Sequence, residues 1–562
     1  MTTALLSFFS KLSNPVWLTG PIFDKELRVS SRRKRNYFLR CGYIILLGVF
    51  VLSTWYSAVV LRSSGSAVYQ ISRLSQAGKN IITAIVWFQF VVAQLVAIVM
   101  LSSSVSEEIR SGTLSVLMTT PINSFQIVTG KLLSKLLQLT LLLAISLPLL
   151  AIIRVFGGVP WDYIVASVCI TLTAAVLAGA LSLLLSMTYH YAHTVILVAI
   201  MIYLVVFGLL PGLFNLLAVK GIFIFDRQVT QSIIALTNPF WAFAATNAML
   251  LIQSGVPKFF SWPVHCLIML AVTALLVGLS VWRVRKVALN AAFGRNVSSK
   301  KASAGVIKRV TGSPIIWKEM RRGFIGRGKG NITILVLLIG LFISVLIPTF
   351  FLSGMGRYSI IFTHYLVYGF YLVIMIRLAV FSAGSIAAEK EARTWPVLLA
   401  TPLEDKEIVR GKAIAAFRRN IPLLLLYFAL LFIQYVHMVI VVRRSNLPPL
   451  ILGSIFTSAI GFAASILFVL GSGLYFGVRL RTATAAVAAT AGLYLVMNGP
   501  FVGIYRLLTL VLYGVLFSSI SRSVGSTVWI HFATSIIFAL FQAGIGLFFA
   551  RCAVRRLRHN IF

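Results

Sequence analysis

Apolar residues recur along this chain in blocks of about 20, the length a helix needs to cross a hydrocarbon layer about 30 Å thick. The blocks lie near 38–61, 81–104, 132–153, 163–187, 194–214 and 261–282. A second series lies near 331–352, 359–388, 421–442, 451–477, 483–503 and 529–550. Within each block the apolar positions run right round the helix rather than along one stripe, as contact with both lipid and neighbouring helices requires. The pattern predicts an all-α polytopic membrane protein with about 12 transmembrane helices.

Composition agrees with the pattern. Hydrophobic residues make up 59% and charged residues 11% of the 562, and the mean hydropathy is +0.96. A soluble chain carries about 25% charged residues. The net charge of +38 would point to nucleic acid in a soluble protein, but its placement points elsewhere. With the N-terminus in the cytoplasm, most of the 50 Lys and Arg fall on the cytoplasmic side, including Arg32 to Arg35, Arg283 to Lys329 and Arg551 to Arg558. That bias obeys the positive-inside rule and predicts both termini in the cytoplasm. The basic residues then face anionic membrane lipids, with no nucleic-acid partner. Leu5 to Phe9 is a short apolar patch without a charged region before it or an obvious cleavage site, so the first span is expected to serve for insertion. Cys41, Cys169, Cys266 and Cys552 lack metal-ligand spacing and read as buried small hydrophobes.

The order of residues contains a repeat. Pro21-Ile22-Phe23-Asp24-Lys25-Glu26-Leu27-Arg28 matches Pro314-Ile315-Ile316-Trp317-Lys318-Glu319-Met320-Arg321. After the second span of each series comes a further pair. Glu108-Ile109-Arg110-Ser111-Gly112-Thr113 runs on through Leu117-Met118-Thr119-Thr120-Pro121 to Ile127 and Gly130-Lys131. Its counterpart runs from Glu389 through Thr394, Val397-Leu398-Leu399-Ala400-Thr401-Pro402 and Ile408-Val409 to Gly411-Lys412, at one constant offset. The chain therefore divides into two homologous six-helix halves, 1–283 and 313–562, joined by a basic cytoplasmic linker over 284–312.

Each repeat has a physical reading. Pro21 and Pro314 suit the first turn of a helix, and Ser313 is a natural N-cap. Ile22, Phe23 and Leu27 form an apolar side while Lys25, Glu26 and Arg28 face water, so the helix lies in the membrane interface. Trp17 and Trp317 anchor at headgroup depth. The second repeat predicts a cytoplasmic helix from Glu108 to about Met118, broken before Thr120-Pro121, with Thr-Pro capping and opening the next helix. Ile109, Leu114, Leu117 and Met118, like Leu398 and Leu399, give it an apolar face that a soluble partner could grip and push.

These segments resemble the coupling segment of type-2 ATP-binding-cassette exporter permeases. The resemblance rests on Glu108, Gly112, Thr113, Thr120, Pro121 and Gly130-Lys131, and on Glu389, Thr394, Thr401, Pro402 and Gly411-Lys412. In the second copy Arg393-Thr394 stands for Gly112-Thr113, and Trp395-Pro396 for Leu114-Ser115. The helices bearing Pro21, Lys25, Glu26 and Arg28, and Pro314, Lys318, Glu319 and Arg321, resemble that family's interfacial elbow helices. The resemblance implies coupling helices that dock two separate ABC ATPase subunits, with ATP and Mg bound on those partners and no cofactor on this chain. It implies short external caps near 215–260 and 504–528. It also implies a multi-pass permease of the cell (plasma or inner) membrane of a bacterium.

What the chain lacks accords with this. There is no GxxxxGK[ST] loop, so ATP hydrolysis belongs to a partner and the chain is not an enzyme; Gly326 to Gly330 is a flexible basic turn. HExxH, GxSxG and paired intramembrane aspartates are missing too. Of 12 acidic residues none falls mid-span, whereas proton- and sodium-coupled carriers usually need an intramembrane carboxylate. The alternative is an ATPase-independent channel, secondary carrier or scaffold. Arg377 is the one charge predicted inside a span, a position that fits the substrate path and an anionic group such as a lipid phosphate.

Overall fold

The computed structural model describes residues 21–26, most of 40–48, and 67–292 apart from 121, 158, 190–191, 220–226 and 250–259. It further describes 312–321, 357–441, 448–498, 524–558 and a few isolated positions between 28 and 52. The spans predicted near 38–61 and 331–352 fall largely or wholly outside these residues, as do Trp17, Pro121 and the segment 504–523.

The described chain is helical, without strands. The first series comprises α1 (Ala67–Ser102), two short helices α2 (Ser106–Ser111) and α3 (Thr113–Met118), α4 (Ser124–Ala144), α5 (Leu147–Gly157) and α6 (Trp161–Ser186). α7 (Ala192–Tyr203) passes through a π-helical stretch, Leu204–Leu209, into α8 (Leu210–Val219). Then come α9 (Arg227–Thr237), α10 (Pro239–Asn247) and α11 (Trp262–Ala292). The second series comprises α12 (Pro314–Arg321), α13 (Arg357–Glu391), α14 (Trp395–Leu399), α15 (Asp405–Val441), α16 (Pro448–Arg479), α17 (Ala483–Asn498) and α18 (Val524–Arg556). Among the described residues, 9 helices are long and apolar enough to cross a membrane, and Ala483–Asn498 is a shorter apolar helix at the span predicted near 483–503. α11 continues unbroken past residue 284 to Ala292.

Two compact units emerge, one of Met1–Ala199 with Phe214–Gly305, the other of Ile200–Leu213 with Val306–Phe562. In the first, α1 packs along α6, and α11 lies against α6, α4 and α3. Its core centres on Phe90, stacked on Phe243 at 4.8 Å and meeting Phe240 edge-on at 5.1 Å, the offset and T-shaped arrangements that aromatic quadrupoles favour. In the second, α16 and α18 form the tightest pair. Glycines allow it: a Cβ on Gly546 would stand 2.5 Å from the Leu467 carbonyl oxygen, and one on Gly471 would strike the Gly546 carbonyl. Small residues let helix backbones approach in the way that drives association in lipid. Tyr371, 281 residues after Phe90, is the matching aromatic centre, close to Tyr427 and Phe462 and hydrogen-bonded to Ser465 at 3.1 Å and to Tyr494.

Of the four cysteines expected to be buried, Cys266 is fully so. Cys169 and Cys552 are half-buried, but Cys41 is exposed, a small apolar residue that a lipid-facing helix surface accommodates.

Candidate functional site

The segment between α1 and α4 is two short helices rather than the single helix predicted from Glu108 to Met118. Gly112 adopts φ +73° and turns the chain between them. Glycine enters the left-handed region without the steric penalty of a Cβ. At the matched position of the second copy Arg393 takes φ +55°, so the same turn is made there by a residue that pays for it in strain. The substitution Gly112/Arg393 had hidden the break from the sequence.

The hydroxyls fix both turns in the same way. Thr113 Oγ1 donates to the Glu108 carbonyl at 3.5 Å, and Thr394 Oγ1 to the Glu389 carbonyl at 3.3 Å. Thr120 Oγ1 donates back to the Leu117 carbonyl at 2.5 Å, and Thr401 Oγ1 to that of Leu398 at 2.5 Å. These threonines therefore close the preceding helix, where orphan carbonyls need donors. They do not cap the following one. α4 begins at Ser124, and the Asn123 N–H ahead of it donates to Gln126 Oε1 at 3.3 Å. Pro402 lies in the bend between α14 and α15.

Behind each turn sits a buried lysine. Lys131 Nζ lies 2.6 Å from Glu108 Oε1 and donates to the Ser104 carbonyl at 2.5 Å, at the end of α1. Lys412 Nζ lies 3.2 Å from Glu389 Oε1 and donates to the Ser385 carbonyl at 2.8 Å. All three residue pairs, Ser104/Ser385, Glu108/Glu389 and Lys131/Lys412, stand 281 residues apart. In the first copy the charge pair pins the short helix α2 to α4; in the second, where Glu389 lies in the last turn of α13, it pins α13 to α15. A lysine buried among apolar residues is tolerated because a carboxylate and a carbonyl accept its hydrogen bonds.

Apolar packing repeats too. Val105, Leu114 and Val128 share one buried cluster of the first unit with Leu101 and Val284. Ile386, Trp395 and Val409, at the matched positions, share one of the second unit with Leu474 and Leu557. Trp395, the apparent departure from the repeat, thus does the work of Leu114. The outward side is apolar as well: Val116 is 65% exposed and Val397, its match, 70%.

The elbow residues approach the same clamps. Residues 21–26 and 28 are helical. Glu26 turns to Lys135 at 3.1 Å rather than to water. Burial pushes its carboxyl up, but Lys135, Lys131 and Lys25 together outweigh this and hold it below the usual range. On α12, Lys318 reaches Glu389 at 2.9 Å and Glu319 lies 3.5 Å from Lys412. Ile315 rests on Gly411, where a Cβ would come within 3.1 Å of it. The glycine of the Gly411-Lys412 pair thus admits the elbow, and the lysine holds it. Pro21, Lys25, Arg28, Pro314 and Met320 are exposed; Arg321 ends α12.

Arg377 is 5% exposed, on α13. A second arginine, missed in the sequence, joins it. α15 begins at Asp405, well before the apolar block at 421, so Arg419 lies inside the long helix. The Arg377 guanidinium is 5.2 Å and that of Arg419 4.3 Å from the Phe381 ring centroid.

Long apolar helices of this number are those of a polytopic membrane protein. Residues 21–289, a little under half of the chain, match the family described as ABC-2 family transporter protein. Compared with curated proteins, the chain finds no match.

Proposed function

We propose that the chain is the permease of an ATP-driven exporter, with two homologous halves that alternate between inward and outward openings as separate ATPase subunits close and part. The observation that carries this reading is the repeated clamp of Glu108 with Lys131 and Glu389 with Lys412. A force applied to α2 and α3 passes through a buried ion pair and apolar packing into α4, and one applied to α14 passes into α15 through the apolar cluster of Trp395 and Val409. Val116 and Val397 supply an exposed apolar handle at matched positions. In this reading Glu108, Gly112, Thr113, Thr120 and Pro121, with Glu389, Thr394, Thr401 and Pro402, shape the two coupling elements. Both lie on the cytoplasmic side, where Arg551 to Arg558 also fall under the positive-inside rule. ATP and Mg belong to the partners.

Purification of the full chain from its native membrane tests the reading. A nucleotide-hydrolysing subunit retained at a stoichiometry near two per chain supports it. Purified chain that transports in vesicles without any such subunit refutes it, in favour of an ATPase-independent channel or carrier.

A further inference from the structure

The two most closely packed helices of the second unit, α16 and α18, each end on an arginine, Arg479 and Arg556. Both side chains turn to one residue, Tyr475 of α16. Arg479 Nη1 donates to the Tyr475 hydroxyl oxygen at 3.2 Å, and Arg556 Nη1 donates to the same oxygen at 3.5 Å. Each guanidinium carbon lies 6.0 Å from the centroid of the tyrosine ring, at the edge of cation–π reach. Tyr475 is 9% exposed and fixed in the buried cluster that also holds Trp395, Val409 and Leu557. Both arginines are exposed.

Cations suit helix C-termini, where carbonyls lack partners. That accounts for an arginine at each end, but not for two like charges drawn to one phenol. Long exposed side chains are free to swing apart, and repulsion favours it. Among the described residues no carboxylate pairs with either arginine. Two acids of this end are engaged elsewhere: Asp405 accepts from Arg558 at 2.8 Å, and Glu391 accepts from the Ala483 N–H at 2.8 Å. The Tyr475 hydroxyl proton also meets no acceptor among the described residues. Three donors thus converge without a carboxylate. A phosphate with a donor on either side spans roughly 8 Å, more than the two bonds to the shared oxygen together. A guanidinium's planar fork matches two phosphate oxygens at once.

We propose that Arg479, Arg556 and the Tyr475 hydroxyl form a binding site for the phosphate of an anionic phospholipid headgroup, at the shared end of α16 and α18. Free phosphate shares this chemistry, but the flank of the site suits a lipid. Phe549 lies seven residues before Arg556, two turns along the same face, with its ring 5.1 Å from that of Tyr475. Beside it Phe548 is 62% exposed. Acyl chains can lie along these rings while the headgroup stays with the arginines, the arrangement of a basic pocket between membrane helices. The site does not depend on ATPase coupling.

The test uses the full chain in phosphatidylcholine nanodiscs with increasing phosphatidylglycerol, reading bound lipid by native mass spectrometry. Native chain should retain phosphatidylglycerol over phosphatidylcholine. Arg479→Gln and Arg556→Gln should each weaken that retention about tenfold, the scale of one lost charge-assisted contact. Tyr475→Phe, which keeps the ring and removes the hydroxyl, should weaken it severalfold. Arg555→Gln, an exposed neighbour on the same helix, should leave it unchanged. Equal retention by native chain and both arginine variants overturns the proposal. So does an equal loss in Arg555→Gln, which marks a diffuse field rather than a site. Inorganic phosphate that binds native chain but not Arg556→Gln, with no preference between the lipids, makes the occupant a free anion and overturns the lipid assignment.

Discussion

Glu108 and Lys131 lie 2.6 Å apart, joining a surface turn to the third turn of a long apolar helix. Twenty-three residues separate glutamate from lysine in this pair, and the same number separate Glu389 from Lys412. The lysine is the buried partner in each.

Removing one member leaves the other charged and desolvated. Lys131→Met should destabilise the purified chain by about 3 kcal/mol, the scale for breaking one side of a buried pair. Lys412→Met should do the same or more, since Lys412 faces both Glu389 and Glu319. Adding Glu108→Gln to Lys131→Met should recover part of the loss, because the two groups are coupled. Thermal unfolding in detergent measures both effects; additive losses would dissolve the clamp.

The left-handed turn should be asymmetric between the two copies. Gly112→Ala should cost about 1 kcal/mol, and Arg393→Gly should gain a similar amount, because only glycine avoids the Cβ clash at positive φ. Unfolding temperatures of the two variants should move in opposite directions. Movement in the same direction would contradict the backbone geometry.

Close approach of α16 and α18 rests on backbone contact at Gly471 and Gly546. Gly546→Ala should destabilise by about 1–3 kcal/mol through overpacking, whereas alanine at Gly461, where a Cβ meets nothing within 4 Å, should be neutral. Comparing the two by thermal unfolding checks the packing.

Acid should release the first elbow. The Glu26 carboxyl is held below its usual range when folded, so its pairing with Lys135 stabilises above the unfolded pKa and is lost as pH falls through the folded value. The contribution is below about 1 kcal/mol for a partly exposed pair. Native chain and Glu26→Gln should therefore differ in stability at neutral pH and converge under acid. A gap that widens toward low pH would reverse the sign.

Much of this arrangement was legible in the sequence. The apolar blocks marked the long helices, and the constant offset between Glu108-to-Lys131 and Glu389-to-Lys412 exposed the paired segments. Three features were not. The break at Gly112 was masked because Arg393 makes the same turn without glycine. Glu26 reads as water-facing because helical periodicity assigns faces but does not name a lysine on another helix. Arg419 was excluded because hydropathy locates where a helix becomes greasy, not where it begins, and α15 starts 16 residues before the predicted span at 421. The ion pair between Glu108 and Lys131 had a signal that went unused: both members recur in the repeat, and only a contact requires both.

The central claim is that the two short-helix elements receive force from a partner. Placing a photo-crosslinker at Val116 or at Val397 in the full chain, in its native membrane, tests it most directly. Both sites should capture a nucleotide-hydrolysing subunit, while a crosslinker at exposed Leu267, within the apolar stretch of α11, should not. Capture of no such subunit at either valine would contradict the account.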